Sequence, residues 1–113
     1  MDGQRMRAMW VYLVRCRNGA LYCGQTANLH ARMRAHSTGR GARFMRMAGY
    51  AGLACCWRVV SRGDALRLEA AIRTLAKVQK EALVSTPQGI VDLAEPLGIA
   101  ACAEPVTHLD KRA

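Results

Sequence analysis

The residues of this chain best equipped for chemistry fall in three groups. Tyr12 and Tyr22 stand ten positions apart on two apolar segments joined by a turn, and Gly24 closes the second segment. A glycine at that place lets a backbone or a ligand come close. Arg32 and His36 follow, four apart and so on one face of any helix that carries them. Glu69 comes last, on a helical stretch whose same face holds Arg73, Lys77 and Lys80. The surrounding charge says what such a set could handle. The net charge is +9, and between Gly3 and Gly63 there are eleven arginines and no acidic residue. From Ser85 onward the balance reverses, with Asp92, Glu95, Glu104 and Asp110 outnumbering Lys111 and Arg112. The basic field therefore belongs to the folded core, and it attracts polyanions, of which phosphate backbones are the commonest in a cytoplasm. A genome bias toward arginine over lysine explains the kind of cation but not the missing acids. Nucleic acid is the expected partner.

Taken singly, each residue has an ordinary structural use. Tyrosines at matching places on paired strands pack across the sheet. Arg32 and His36 suit a solvated helix face, and Glu69 with Arg73 is a standard i, i+4 pair. His30 and His108 read as surface residues. The five cysteines (Cys16, Cys23, Cys55, Cys56 and Cys102) form an odd set without Cys-x-x-Cys spacing. Cys55 and Cys56 would point to opposite faces of a strand and could not clamp one metal ion. All five read as free, mostly buried thiols of a reducing compartment. Spacings for a His/Cys metal site or a Cys–His nucleophile are absent. No apolar run is long enough to span a membrane, and the first seven residues lack the pattern of a secretory signal, so a cytoplasmic location is expected.

The elements that must position these groups are legible in outline. Met9 to Cys16 is rich in aromatic and β-branched residues and reads as a strand. Asn18-Gly19 is a strong hairpin signal, and Ala20 to Gly24 makes the return strand. Whether the two tyrosines share a face depends on that turn, and periodicity leaves it open. Thr26 or Asn28 can cap a helix to about His36 with Leu29 and Met33 inward. A short helix around Ala42 to Met47 and a third strand from Leu53 to Val60 follow. Asp64 can cap one long helix, Ala65 to about Val84, with Leu68, Ile72, Leu75, Gln79 and Leu83 inward. The expected fold is α+β: a small three-stranded antiparallel or mixed sheet flanked by helices. Residues 1–84 form the expected domain. Residues 85–113 form a C-terminal extension holding all three prolines, in which Gly89 to Ala103 is apolar enough to pack.

The order Trp10-Val11-Tyr12, Tyr22-Cys23-Gly24, Arg32, His36 and Glu69 resembles the GIY-YIG nuclease domain, most nearly its small stand-alone bacterial branch. Leu21, Thr26, the segment Gly39-Arg40-Gly41-Ala42-Arg43 and the stretch Leu66 to Leu83 add to the likeness. It covers residues 9 to 84, about two thirds of the chain. The tyrosine triads alone are short; with Arg, His and Glu in order they become specific. The first triad keeps only its tyrosine, the second has Cys23 in its centre, and Gln25 stands where some members have lysine. The tail after Val84 lies outside the likeness and is free to cover or gate the site.

The resemblance implies a metal-dependent phosphodiester hydrolase, with DNA favoured and a role in repair or turnover. Glu69 would be the sole carboxylate on one Mg²⁺ or Mn²⁺ ion, whose other ligands are waters and phosphate oxygens. Arg32 would grip the scissile phosphate with its planar fork. Tyr12 is expected as general base with Tyr22 supporting it, and His36 would orient or deprotonate the attacking water. A phenol of pKa near 10 needs roughly 2.7 kcal/mol of preferential anion stabilisation to fall two units, which Arg32, the metal and a protonated His36 could share. Arg40, Arg43, Arg46, Arg73, Lys77 and Lys80 are the candidate nucleic-acid contacts. Two-metal nucleases need several converging carboxylates. This core has Asp64, Glu69 and Glu81, two of them suited to capping and surface pairing, so one ion is expected. The competing reading is a non-catalytic nucleic-acid-binding module, which would need the arginines but not the tyrosines and Glu69. A core this small leaves little room for base-edge readout, which favours structure or single-strand recognition.

Overall fold

The computed structural model describes residues 8–106; the N-terminal stretch read for a signal, and His108, lie outside them. The chain begins as a hairpin of β1 (Met9–Cys16) and β2 (Leu21–Thr26). Its turn uses Gly19 at a φ of +92°, a conformation that glycine adopts without strain. The Asn18 side chain steadies the turn by accepting from the Ala20 N–H at 3.0 Å. Helix α1 (Leu29–Ser37) starts at Asn28, whose side chain accepts from the Ala31 N–H. Leu29 and Met33 are buried, as their spacing predicts. Helix α2 (Arg43–Ala48) and strand β3 (Tyr50–Val59) follow.

Where one long helix was expected, the chain forms two, α3 (Arg62–Arg73) and α4 (Lys77–Ser85). Ser61, not Asp64, caps α3: its hydroxyl accepts from the Asp64 N–H at 3.0 Å. Leu68, Ile72 and Leu83 are buried and Leu75 partly so, but Gln79 is exposed. The Gln79 side chain instead accepts from the Ala76 N–H at 2.8 Å and starts α4. The residues on either side of the break keep helical apolar spacing, which is why the sequence alone reads as continuous.

The sheet has four strands, not three, in the order β2-β1-β3-β4, all antiparallel. The added strand β4 (Cys102–Glu104) comes from the C-terminal segment and is too short for periodicity to reveal. Between α4 and β4 run two short 3-10 turns and the single-turn helix α5 (Val91–Ala94). Strand β4 of this segment sits on the edge opposite β2, with β1 and β3 between. Trp57 Nε1 donates to the Pro87 carbonyl at 2.8 Å and ties the segment down.

Two cores result, one on each face. Val11, Leu13, Cys23, Cys55 and Trp57 pack with Leu68 and Ile72 of α3, and with Ile90, Ala94 and Ile99 of the C-terminal segment. Tyr12, Val14, Cys16 and Cys56 pack with Leu29 and Met33 of α1 and Met45 of α2. Cys55 and Cys56 therefore do face opposite ways, and all five cysteines are free, four of them buried. A register shift between β1 and β3 near Ala54 keeps this alternation intact on β1. Since Ile90 is 1% exposed within the first core, Ile90→Ala should cost about 2–5 kcal/mol in urea unfolding. A loss below about 1 kcal/mol would show that the C-terminal segment contributes little to the core.

Candidate functional site

The hairpin register answers the question that periodicity leaves open. Tyr12 pairs with Gly24 and Tyr22 with Val14. Both tyrosines consequently lie on the sheet face covered by α1 and α2. A side chain at position 24 would stand 2.4 Å from the Tyr12 hydroxyl, so the phenol ring reaches across the bare backbone of Gly24. There the hydroxyl shares a hydrogen bond of 3.1 Å with His36 Nε2. Tyr22 meets the same imidazole edge-on, with ring centroids 5.7 Å apart.

His36 is the hub of this cluster. It is 3% exposed, and Tyr50 stacks on it at 6.3 Å. On its far side Gly41 presses so close that an added Cβ would fall 2.1 Å from Nδ1. Burial, helped by the nearby Arg32 guanidinium, lowers the His36 pKa to about 4. The imidazole is neutral at physiological pH and is not the cation that the sequence allows for. Its Nδ1 is buried without a hydrogen-bond partner. Tyr12 is 1% exposed, and its pKa is raised above the ordinary phenol value, first by burial and then by Tyr22, with Arg32 pulling the other way. Tyr22 is only half-buried.

Glu69 approaches from the other face. Helix α3 packs on β2 and β1, and the charge of Glu69 acts on both Tyr12 and Cys23. Because β2 is the edge strand, the two faces of the sheet meet along it. A cavity of about 300 Å³ there is lined by Leu21, Tyr22 and Cys23 of β2, Phe44 of α2, Arg73 of α3 and Lys80 of α4. A second, of about 490 Å³, continues past Leu21 and Lys80 to the hairpin turn and Lys77. The Cys23 thiol beside them is inert, its pKa pushed up to about 12 by burial and by Glu69.

The three carboxylates of the core have different company. Asp64 pairs with Arg67 at 3.3 Å. Glu81 receives Arg15 through two bonds, of 2.5 and 2.7 Å, and Lys77 at 2.6 Å, and these bonds hold its pKa at about 2. Among the described residues Glu69 pairs only with Arg73, at 3.5 Å, and its side chain is 14% exposed. Among the described residues no three His, Cys, Asp or Glu side chains gather into a metal-binding group. A single carboxylate of this kind fits an ion that keeps most of its waters and takes phosphate oxygens for the rest.

The structure thus gathers Tyr12, Tyr22 and His36 in contact and brings the charges of Arg32 and Glu69 to bear on Tyr12; of these five, Tyr22 lines the groove at the β2 edge. Of the expected phosphate contacts, Arg73 and Lys80 line the groove, while Arg40, Arg43 and Arg46 are exposed on α2 and the loop before it, and Arg46 lines a separate cavity beside His36 and Tyr50. Lys77 is held by Glu81 and donates to the Gly19 carbonyl at 3.0 Å, which gives it a structural use. His30 is half-buried. The sequence does not single out Tyr50, Phe44 or the closeness of Gly41. All three tyrosines of the chain meet His36, and Phe44 stacks on Tyr22, a gathering that no spacing in the sequence marks.

Comparison with known proteins gives this arrangement its class. Residues 8–81 match the model of the GIY-YIG catalytic domain, and the chain belongs to that nuclease family. Among its relatives, a UPF0213 protein of Pseudomonas aeruginosa is 42% identical over 86 residues, covering 76% of this chain and 83% of that one. A UPF0213 protein of Vibrio cholerae is 47% identical over 77 residues, covering 67% and 76%. The UPF0213 protein YhbQ of Salmonella arizonae is 39% identical over 92 residues, covering 81% and 92%. These relatives form a small, stand-alone bacterial branch of the family. The solution NMR structure of a UPF0213 protein from Bacillus halodurans is 33% identical and covers 69% of this chain and 83% of that one, with a TM-score of 0.45.

A folded-state pKa near 4 against an ordinary 6.5 fixes a sign for His36. Between those values the unfolded chain binds a proton that the native imidazole refuses. The stability is therefore full above pH 6.5 and declines as pH falls toward 4. By NMR, the His36 ring signals should hold steady from pH 8 to 5, and His36→Gln should flatten the decline in urea stability over the same window. A His36 midpoint between 6 and 7 would contradict the buried, neutral ring.

Proposed function

We propose that this protein is a divalent-metal-dependent nuclease that hydrolyses phosphodiester bonds of nucleic acid, DNA in preference to RNA, at single-stranded or branched structures. The observation that carries the reading is the convergence at the β2 edge. Two phenols meet one imidazole, the charges of Arg32 and Glu69 act on Tyr12, and Tyr22 opens on a groove lined by Arg73 and Lys80. A module that only bound nucleic acid would gain nothing from burying Tyr12 against His36 or from leaving Glu69 lightly paired.

Arg32 is exposed, adjoins the phenols, and offers a planar fork to the two non-bridging oxygens of a phosphate. Glu69 would hold the Mg²⁺ or Mn²⁺ ion, which when bound supplies positive charge near the leaving 3′-oxygen. The two phenols divide their tasks by access. A general base must come within hydrogen-bond reach of the water it deprotonates. Tyr22 faces the groove and is open to it, whereas Tyr12 is sealed against Gly24 and His36. We therefore give the base to Tyr22 and exchange the roles expected from the resemblance. Tyr22 takes the proton of the attacking water beside the Arg73 and Lys80 that line its groove. Tyr12 and the neutral His36 hold the Tyr22 ring in place. A role in repair or turnover is consistent with such an activity.

Cleavage of single-stranded, duplex, flap and RNA substrates with Mg²⁺, with Mn²⁺ and with EDTA tests the reading. Metal-dependent cutting is expected, and Glu69→Gln should lower kcat/KM by about 100-fold or more, on the order of 3 kcal/mol of transition-state stabilisation. Binding measured without turnover should stay within about threefold. Tyr22→Phe should reduce kcat more than Tyr12→Phe does. If Glu69→Gln cut as fast as the unaltered protein, the metal assignment would be lost.

A further inference from the structure

Phe44 is the chain's one phenylalanine, and it is 46% exposed. It does not belong to either core. One face of its ring stacks on Tyr22, with centroids 5.7 Å apart and planes 16° from parallel. The ring lines the same cavity as Tyr22, Arg73 and Lys80. Lys80 has no hydrogen-bond or ion-pair partner among the described residues, and Arg73 has only its 3.5 Å contact with Glu69. An exposed aromatic ring set beside an unpaired lysine and a weakly paired arginine matches the way proteins hold unpaired nucleotides: the base stacks on the ring and its phosphates meet the cations.

We propose that Phe44 and Tyr22 form a platform for one unpaired nucleobase next to the scissile phosphate, with Lys80 and Arg73 taking the adjoining phosphates. The assignment rests on the nuclease reading of this groove and deepens it by naming the residue that selects single-stranded substrate. A base inside a duplex has both faces covered by its neighbours and cannot offer one to Phe44. An unpaired base in a single strand, flap or loop can. Stacking is tolerant of base identity because every base has a π-face, so the platform selects for strandedness and not for sequence. Helix α2 carries Phe44 to the groove through Met45 and Ala48, which anchor it in the core beneath.

The test uses the full chain with EDTA present, so that binding is read without cutting, and fluorescence anisotropy with a labelled single-stranded oligonucleotide and its duplex. Phe44→Ala should weaken single-strand binding by about tenfold and leave duplex binding within about twofold. Phe44→Trp should restore the affinity, and its indole fluorescence should be quenched by the single strand and not by the duplex. On oligonucleotides carrying one abasic position moved along the strand, one placement should abolish the difference between Phe44→Ala and the unaltered protein. Equal losses on single strand and duplex, or no loss at all, would overturn the platform. Cleavage assays with Glu69→Gln keep the two readings apart. Intact metal-dependent cutting with no Phe44 effect removes the platform alone, and a Phe44-dependent single-strand preference without cutting removes the nuclease reading alone.

Discussion

The site at the β2 edge hangs on one steric allowance. Tyr12 crosses the backbone of Gly24, and a single carbon at that position would sit 2.4 Å from the phenol oxygen. Without that space the hydroxyl could not reach His36 Nε2. Gly41 grants the same space on the opposite side of the imidazole. Two missing side chains thus allow a histidine to be packed among three tyrosines, and packing that dense excludes water. The depressed pKa of His36 and the raised pKa of Tyr12 follow from this burial.

Electrostatic economy completes the arrangement. The core has few carboxylates, and the fold commits two of them. Glu81 joins Arg15 of β1 to Lys77 of α4 and, through the Lys77 bond to Gly19, fastens α4 to the hairpin turn. Asp64 takes Arg67 within α3. Arg67 also donates to the Leu97 carbonyl and so reaches the C-terminal segment. These cations hold the fold together and leave Arg73 and Lys80 to line the groove. The same division leaves Glu69 as the lightly paired acid. A surface this basic draws in phosphate, and only a few side chains decide what happens at the point of contact.

The C-terminal segment shows how small apolar stretches gain meaning from context. It fills the face of the sheet under α3 with Ile90, Ala94 and Ile99 and adds β4 beside β3. Its strand lies on the edge away from β2. One edge of the sheet is covered by this added strand, and the other stays open where the groove runs.

Much was legible in the residues. The hairpin followed from Asn18-Gly19, the first helix from Asn28, Leu29 and Met33, and the α+β class from the order of the elements. The family could be named from the type, order and spacing of Tyr12, Tyr22, Arg32, His36 and Glu69, which are all read along the chain. Other features required distant parts to meet. The shared face of Tyr12 and Tyr22 came from strand register, and the break between α3 and α4 from Gln79 turning back to Ala76. The neutrality of His36, the enclosure of Tyr12 and the exposure of Phe44 beside Tyr22 are likewise properties of packing. Sequence fixes which groups are available. Burial and distance determine their protonation and access, and those quantities exist only once both faces of the sheet have closed on β2.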